Sequence, residues 1–153
     1  MINEIDYTSK KVIILDDTEL WLDTMKIWLR KLGYKHIDYC STSKQFLDVF
    51  DKSYDVVVID YFLEGDIEAP QVIKKARKIN KDAFILCASG LFTKQGNVNF
   101  EKMTLALSAG ANRAVSKDVD AIQDILDSHM SLREHNDFNI EDPFSFDFQK
   151  LST

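Results

Sequence analysis

A parallel α/β sheet covered by helices on both faces is the fold class this sequence predicts. Short apolar runs rich in β-branched residues, amphipathic stretches between them and connections of only a few residues point to it together. A strand buried on both faces reads as a continuous apolar run rather than an alternating one. Repeated β-α alternation then specifies parallel strands joined by right-handed crossovers.

The elements follow in chain order. Lys11-Val-Ile-Ile-Leu15 is the first strand. From Thr18 to Leu32, the residues Trp21, Leu22, Met25, Trp28, Leu29 and Leu32 recur at helical spacing as one apolar stripe, and Gly33 stops the helix. His36-Ile-Asp-Tyr-Cys40 is a weaker strand signal. Ser43 is the expected N-cap of a helix carrying Phe46, Leu47 and Phe50. Asp55-Val-Val-Val-Ile59 is the third strand, and it runs into Asp60. Pro70 suits the first turn of a helix carrying Val72, Ile73, Ala76 and Ile79. Ala83-Phe-Ile-Leu-Cys-Ala88 is the fourth strand, leading to Ser89 and Gly90. A helix from Val98 to Ala109 carries Phe100, Met103, Ala106 and Leu107, with Gly110 behind it. Arg113-Ala-Val-Ser116 is the second weaker strand. Asp118 or Asp120 caps a last helix carrying Ile122, Ile125, Leu126 and Met130. The expected domain covers residues 1–132, and 133–153 form an acidic tail. Glu134 to Thr153 holds five acids and one lysine, with Phe144, Phe146 and Phe148 at alternate positions. Such a tail is either unfolded or docks its phenylalanines on this domain or on a neighbour.

Composition narrows the function. The chain has 153 residues, 45% of them apolar, enough for one core. With 25 acids against 19 bases, a net charge of −6 argues against gripping nucleic acid or an anionic membrane face. No apolar run approaches the roughly 18–20 residues of a membrane span, and the N-terminus is too polar for a secretory signal. Cys40 and Cys87 read as buried thiols of a cytoplasmic protein. His36, His129 and His135 share no metal-binding spacing, and Trp21 and Trp28 read as core.

Ligands of open α/β sheets bind beyond the C-terminal strand ends. The residues there are Asp16 and Asp17 after the first strand, Asp60 after the third, Ser89 after the fourth and Lys117 after the fifth. Three carboxylates in one place repel unless a cation lies among them. Oxygen ligands with room for water suit Mg²⁺, which favours one or two carboxylates and a phosphate oxygen. A lysine and a hydroxyl would hold the remaining phosphoryl oxygens, so the set points to an aspartate that accepts a phosphoryl group.

The pieces Val12-Ile-Ile-Leu-Asp-Asp17, Val57-Val-Ile-Asp-Tyr-Phe-Leu63, Leu86-Cys-Ala-Ser-Gly90 and Ala109-Gly-Ala-Asn-Arg-Ala-Val-Ser-Lys117 occur in this order. The chain thereby resembles a response-regulator receiver domain of bacterial two-component signalling over roughly residues 10–131. The resemblance implies a flavodoxin-like sheet in order 2-1-3-4-5. It implies Asp60 as phosphoryl acceptor, Asp17 as a direct Mg²⁺ ligand, Asp16 as a ligand through water and the backbone carbonyl of Phe62 as a further ligand. It implies that Ser89 and Lys117 bind the phosphoryl group, and that a histidine kinase or phosphotransfer protein donates it. A downstream protein partner would read the state. The chain is expected to stand alone without a DNA-binding domain, and a homodimer is open because many receivers pair near the fourth helix.

Two departures from the family stand out. An aromatic residue usually occupies the position of Ala114, three before the lysine, and proline usually follows the lysine, where this chain has Asp118. A cis bond before a non-proline costs about 2.5–4 kcal/mol, so trans is expected. The stretch from Gly90 to Asn99 is also longer than usual. Ala114 and Asp118 support a rival reading, a pseudo-receiver that binds partners without phosphorylation. An aspartate-based phosphatase is disfavoured, because Phe62 stands where a second acid is needed.

Overall fold

Strand burial divides cleanly by position along the sheet. β1 (Lys11–Leu15), β2 (His36–Cys40), β3 (Val56–Asp60), β4 (Phe84–Ser89) and β5 (Arg113–Ser116) are all parallel, in the order β2-β1-β3-β4-β5. The expected class and strand order are therefore the observed ones. Every residue of β3 and β4 is buried, whereas β2 at one edge exposes His36, Asp38 and Tyr39. The structure, a computed structural model, describes residues 6–63, 67–90, 92 and 97–134. Leu91, much of the long stretch before the fourth helix, His135 and the phenylalanines of the tail lie outside the described residues.

Alternate strand residues feed two separate apolar layers, as the period of two requires. Ile13, Leu15, Val57, Ile59, Ile85 and Cys87 face one layer, closed by α2 (Ser43–Val49), α3 (Ala69–Ile79) and α4 (Asn97–Ala109). Val12, Ile14, Val56, Val58 and Leu86 face the other, closed by α1 (Glu19–Leu32) and α5 (Val119–Glu134). Both cysteines are buried, and burial pushes the Cys40 thiol up to about 11. His129 stacks on Phe84 with ring centroids 4.0 Å apart, a packing role.

Helix ends follow local chemistry. Gly33 closes α1 with φ 115°, a left-handed value, and the Tyr34 N–H reaches back to the Leu29 carbonyl. Ser43 is not the cap of α2. Thr42 is, because its hydroxyl accepts from the Gln45 N–H at 3.1 Å while Ser43 is turned into the interior. Asp118 rather than Asp120 caps α5, its carboxylate accepting from the Asp120 N–H at 2.9 Å. α5 continues to Glu134, so residues 133 and 134 are helical.

α4 departs from expectation. Phe100 was expected on its buried stripe but is 74% exposed, and Leu105 is 48% exposed. Ala106 is the buried contact, with Met103 beside it, because only small residues allow the helix to lie close against α3 and β5. The C-terminal end of α4 is held by Arg77 of α3. Its guanidinium donates to the carbonyls of Gly110 (2.8 and 3.1 Å), Ala83 (2.7 Å) and Lys81 (2.9 Å), and to Asn112 Oδ1 (2.8 Å).

Candidate metal and acceptor site

Each site residue sits where a strand runs out at the same edge of the sheet. Asp16 and Asp17 follow β1, Asp60 ends β3, Ser89 ends β4 and Lys117 follows β5. Because β1, β3 and β4 are neighbours in parallel register, these ends share one rim. Carboxylate oxygens of Asp16, Asp17 and Asp60 all lie within 4.8 Å of one another. Asp16 and Asp60 are buried and Asp17 is half-buried.

Lys117 lies against this acidic group. Its Nζ is 2.6 Å from Asp16 Oδ2 and 3.7 Å from Asp60 Oδ2. The backbone N–H of Lys117 donates to the Ser89 carbonyl at 3.1 Å, so the ends of β4 and β5 are tied together. The peptide before Asp118 is trans, as expected from the missing proline. Asp16 Oδ1 also accepts the Thr18 N–H at 2.8 Å, which fixes the loop leading into α1. Asp16 thus serves a turn and an ion pair at once.

The electrostatics are unbalanced toward negative charge. Asp60 is pushed up to about 6 chiefly by burial, and next by the charge of Asp16. Lys117 and the Phe62 N–H, which donates to the Asp60 carboxylate, oppose this, and Asp17 adds a smaller push upward. Three clustered carboxylates repel one another, and the Lys117 ammonium lies against two of them, Asp16 and Asp60. The donors are hard oxygens only, and Asp17 opens toward water. That chemistry fits a small divalent cation such as Mg²⁺. Phe62, whose carbonyl is the further expected ligand, follows Asp60 by two residues and is 39% exposed.

All the expected side chains thus gather at one rim. The sequence reading missed the surrounding aromatic groups. The Lys117 ammonium lies 5.2 Å from the centroid of the Trp21 ring. Spacing alone held a partial clue, since Trp21 lies in the first turn of α1 (Glu19–Leu32), the helix that starts directly after Asp16 and Asp17. Tyr61 packs edge-on against Phe62 (5.0 Å) and Phe92 (5.5 Å), and Lys102 of α4 lies 5.3 Å from the Tyr61 ring centroid. Ala114 packs against the same layer as Tyr61 and Phe92 without a ring of its own.

Comparison with solved structures finds the same architecture. A CheY-like response regulator receiver domain protein from Methanospirillum hungatei is 20% identical, with a TM-score of 0.71, and covers 84% of this chain and 99% of its own. A response regulator from Burkholderia pseudomallei, solved with a phosphorylated aspartic acid, a calcium ion and citrate, is 20% identical at TM-score 0.67, covering 88% of this chain and 75% of its own. The receiver domain of a histidine kinase from Arabidopsis thaliana, complexed with Mg²⁺ and BeF₃⁻, is 17% identical at TM-score 0.68, covering 82% and 92%. At these identities the likeness shows the fold. No curated protein sequence matches the chain. The response regulator receiver domain family matches residues 12–128, and the chain, with its five-stranded sheet and acidic rim, belongs to that family.

Proposed function

We propose that Asp60 accepts a phosphoryl group from a phosphohistidine, and that the modified domain signals through protein contact. The observation that carries this reading is the convergence of Asp16, Asp17 and Asp60 within 4.8 Å, beside the Lys117 ammonium. An Asp60 carboxylate oxygen attacks phosphorus, forming a P–O bond. The P–N bond of the donor breaks, and its electron pair stays on the imidazole nitrogen. Asp17 would hold Mg²⁺ directly, Asp16 through water, and Asp60 and the Phe62 carbonyl would complete the protein ligands. Bound there, Mg²⁺ supplies charge neutralisation for the phosphoryl oxygens. Lys117 supplies a second cation, released from Asp16 toward the phosphoryl group, and Ser89 supplies a hydroxyl donor. The donor is a histidine kinase or phosphotransfer protein, and the setting is the cytoplasm. No described helix is long and apolar enough to cross a membrane. The domain is a signalling module whose only chemistry is its own phosphorylation and dephosphorylation.

The acidic stretch expected over residues 133–153 begins within α5, which runs to Glu134, and the rest is proposed as a segment appended to the domain; pairing of two copies is the proposed state to test by mass in solution. A second reading draws on Ala114 and Asp118, which replace the family's usual aromatic residue and proline: a scaffold that binds partners unmodified. Incubation with acetyl phosphate and Mg²⁺, followed by intact mass, separates the two. The acceptor reading expects one added phosphoryl mass that Asp60→Asn lacks. No gain in the wild-type protein would leave the scaffold.

A further inference from the structure

We propose that Trp21 is the positioning residue for Lys117: the face of its indole keeps the ammonium between Asp16 and Asp60 and so sets how fast Asp60 is phosphorylated. The inference rests on the acceptor reading above and adds a residue to it.

The need for such a residue follows from where Lys117 stands. It succeeds a four-residue strand at the sheet edge, none of whose residues is fully buried. Asp118 turns directly away to cap α5, leaving the lysine stem to aim itself. A lysine side chain has four rotatable bonds, and ordering it is costly. Asp16 at 2.6 Å attracts the ammonium more closely than Asp60 at 3.7 Å, so the carboxylates alone favour Asp16. An ammonium has three N–H donors. The face of the Trp21 indole lies under the ammonium, with its centroid 5.2 Å away.

A ring face has a property that a carboxylate lacks here. It attracts the charge without demanding one hydrogen-bond direction, so it holds the ammonium while oxygen partners change around it. Phosphorylation of Asp60 requires such a change. The ring itself is steadied by its helix, since Leu22 and Met25 beside it are buried in the layer that Trp21 also packs against. Trp28 lies on the same stripe and against the same layer, and provides a control for packing alone.

The test uses the full chain with acetyl phosphate and Mg²⁺, reading the initial rate of mass gain at Asp60. Trp21→Leu is expected to slow uptake about three- to tenfold, the scale of one cation–π contact. Trp21→Phe, which keeps a ring face, restores most of the rate, and Trp28→Leu leaves it unchanged. Trp21→Leu adds no further loss to Lys117→Met. In NMR spectra, the ε-methylene of Lys117 lies upfield through the ring current and returns to the ordinary lysine position in Trp21→Leu. Equal rates for Trp21→Leu and wild type overturn the proposal. So does the same loss in the Lys117→Met background, which would mark simple packing, or a Lys117 resonance that ignores the indole. A wild-type protein that gains no mass sinks the acceptor reading instead, and the Lys117 resonance still decides whether Trp21 holds the ammonium.

Discussion

Replacing Asp60 by Asn should make the metal-free protein more stable at neutral and alkaline pH. Burial and the neighbouring Asp16 raise the Asp60 carboxyl from 3.8 to about 6, so the fold prefers its protonated form. That preference is fully satisfied below about pH 4 and is lost as pH rises through about 6. Above that, the folded protein carries an ionised carboxylate that it binds less well than water does. Carrying the charge on a carboxyl raised from 3.8 to about 6 costs the folded state roughly 3 kcal/mol at high pH. Asparagine keeps the shape and can still accept the Phe62 N–H, but never ionises. At this chain length 3 kcal/mol moves a melting temperature by roughly 10 °C. Thermal melts in EDTA at pH 8 should therefore show Asp60→Asn above wild type, with the two converging toward pH 4. Added Mg²⁺ at a hundredfold excess over its dissociation constant raises wild type by about 2.7 kcal/mol and the variant by less. Equal melting temperatures at pH 8 without metal, or a gap that ignores pH, would refute the account of Asp60 as a buried carboxylate crowded by Asp16.

Other outcomes are open to measurement. Phe62→Asn should speed loss of the phosphoryl group from Asp60, because an amide two residues beyond the acceptor can orient water and a phenyl ring cannot; intact-mass decay curves of the two phosphoproteins compare them directly. Gly110→Ala should cost about 1–3 kcal/mol in urea unfolding, since Gly110 holds φ 134° and a Cβ there would lie 3.1 Å from the Arg77 Cβ. Truncation after Glu134 should lower the melting temperature or change the solution mass if Phe144, Phe146 and Phe148 dock, each burying roughly 1.5–3 kcal/mol of apolar side chain; no change in either removes that role for the tail.

The strands were legible because burial on both faces leaves no freedom in composition: Val56 to Asp60 and Phe84 to Ser89 could hardly be written otherwise. The acidic rim was legible for a related reason, since parallel topology carries every strand end to one edge. Less was visible where a long side chain reaches across the fold. Nothing in the sequence marks Arg77, yet its guanidinium joins α3, the start of β4 and the end of α4. The choice of Thr42 over Ser43 turned on one residue of backbone phase, which adjacent hydroxyls cannot reveal. Phe100 fits a helical stripe on paper but faces water, because the close approach of α4 is set by Ala106. Trp21 was read as core, correctly in part, and its second face on Lys117 depends on a partner distant in the chain.

Arg77 gives α4 a fixed heel. Its bonds to the Gly110 carbonyl and to Asn112 leave that end little room to slide. Lys102 stands eight residues back along the helix, roughly 12 Å from the anchor, where it meets Tyr61 and Phe62 next to the acceptor. With that end held, a displacement of the other end of α4 is easier to accommodate as a tilt about the anchor than as a slide. The exposed Phe100, further out still, would then move farther than Lys102, so a small tilt at the acceptor would be read at the surface as a larger displacement of an apolar ring.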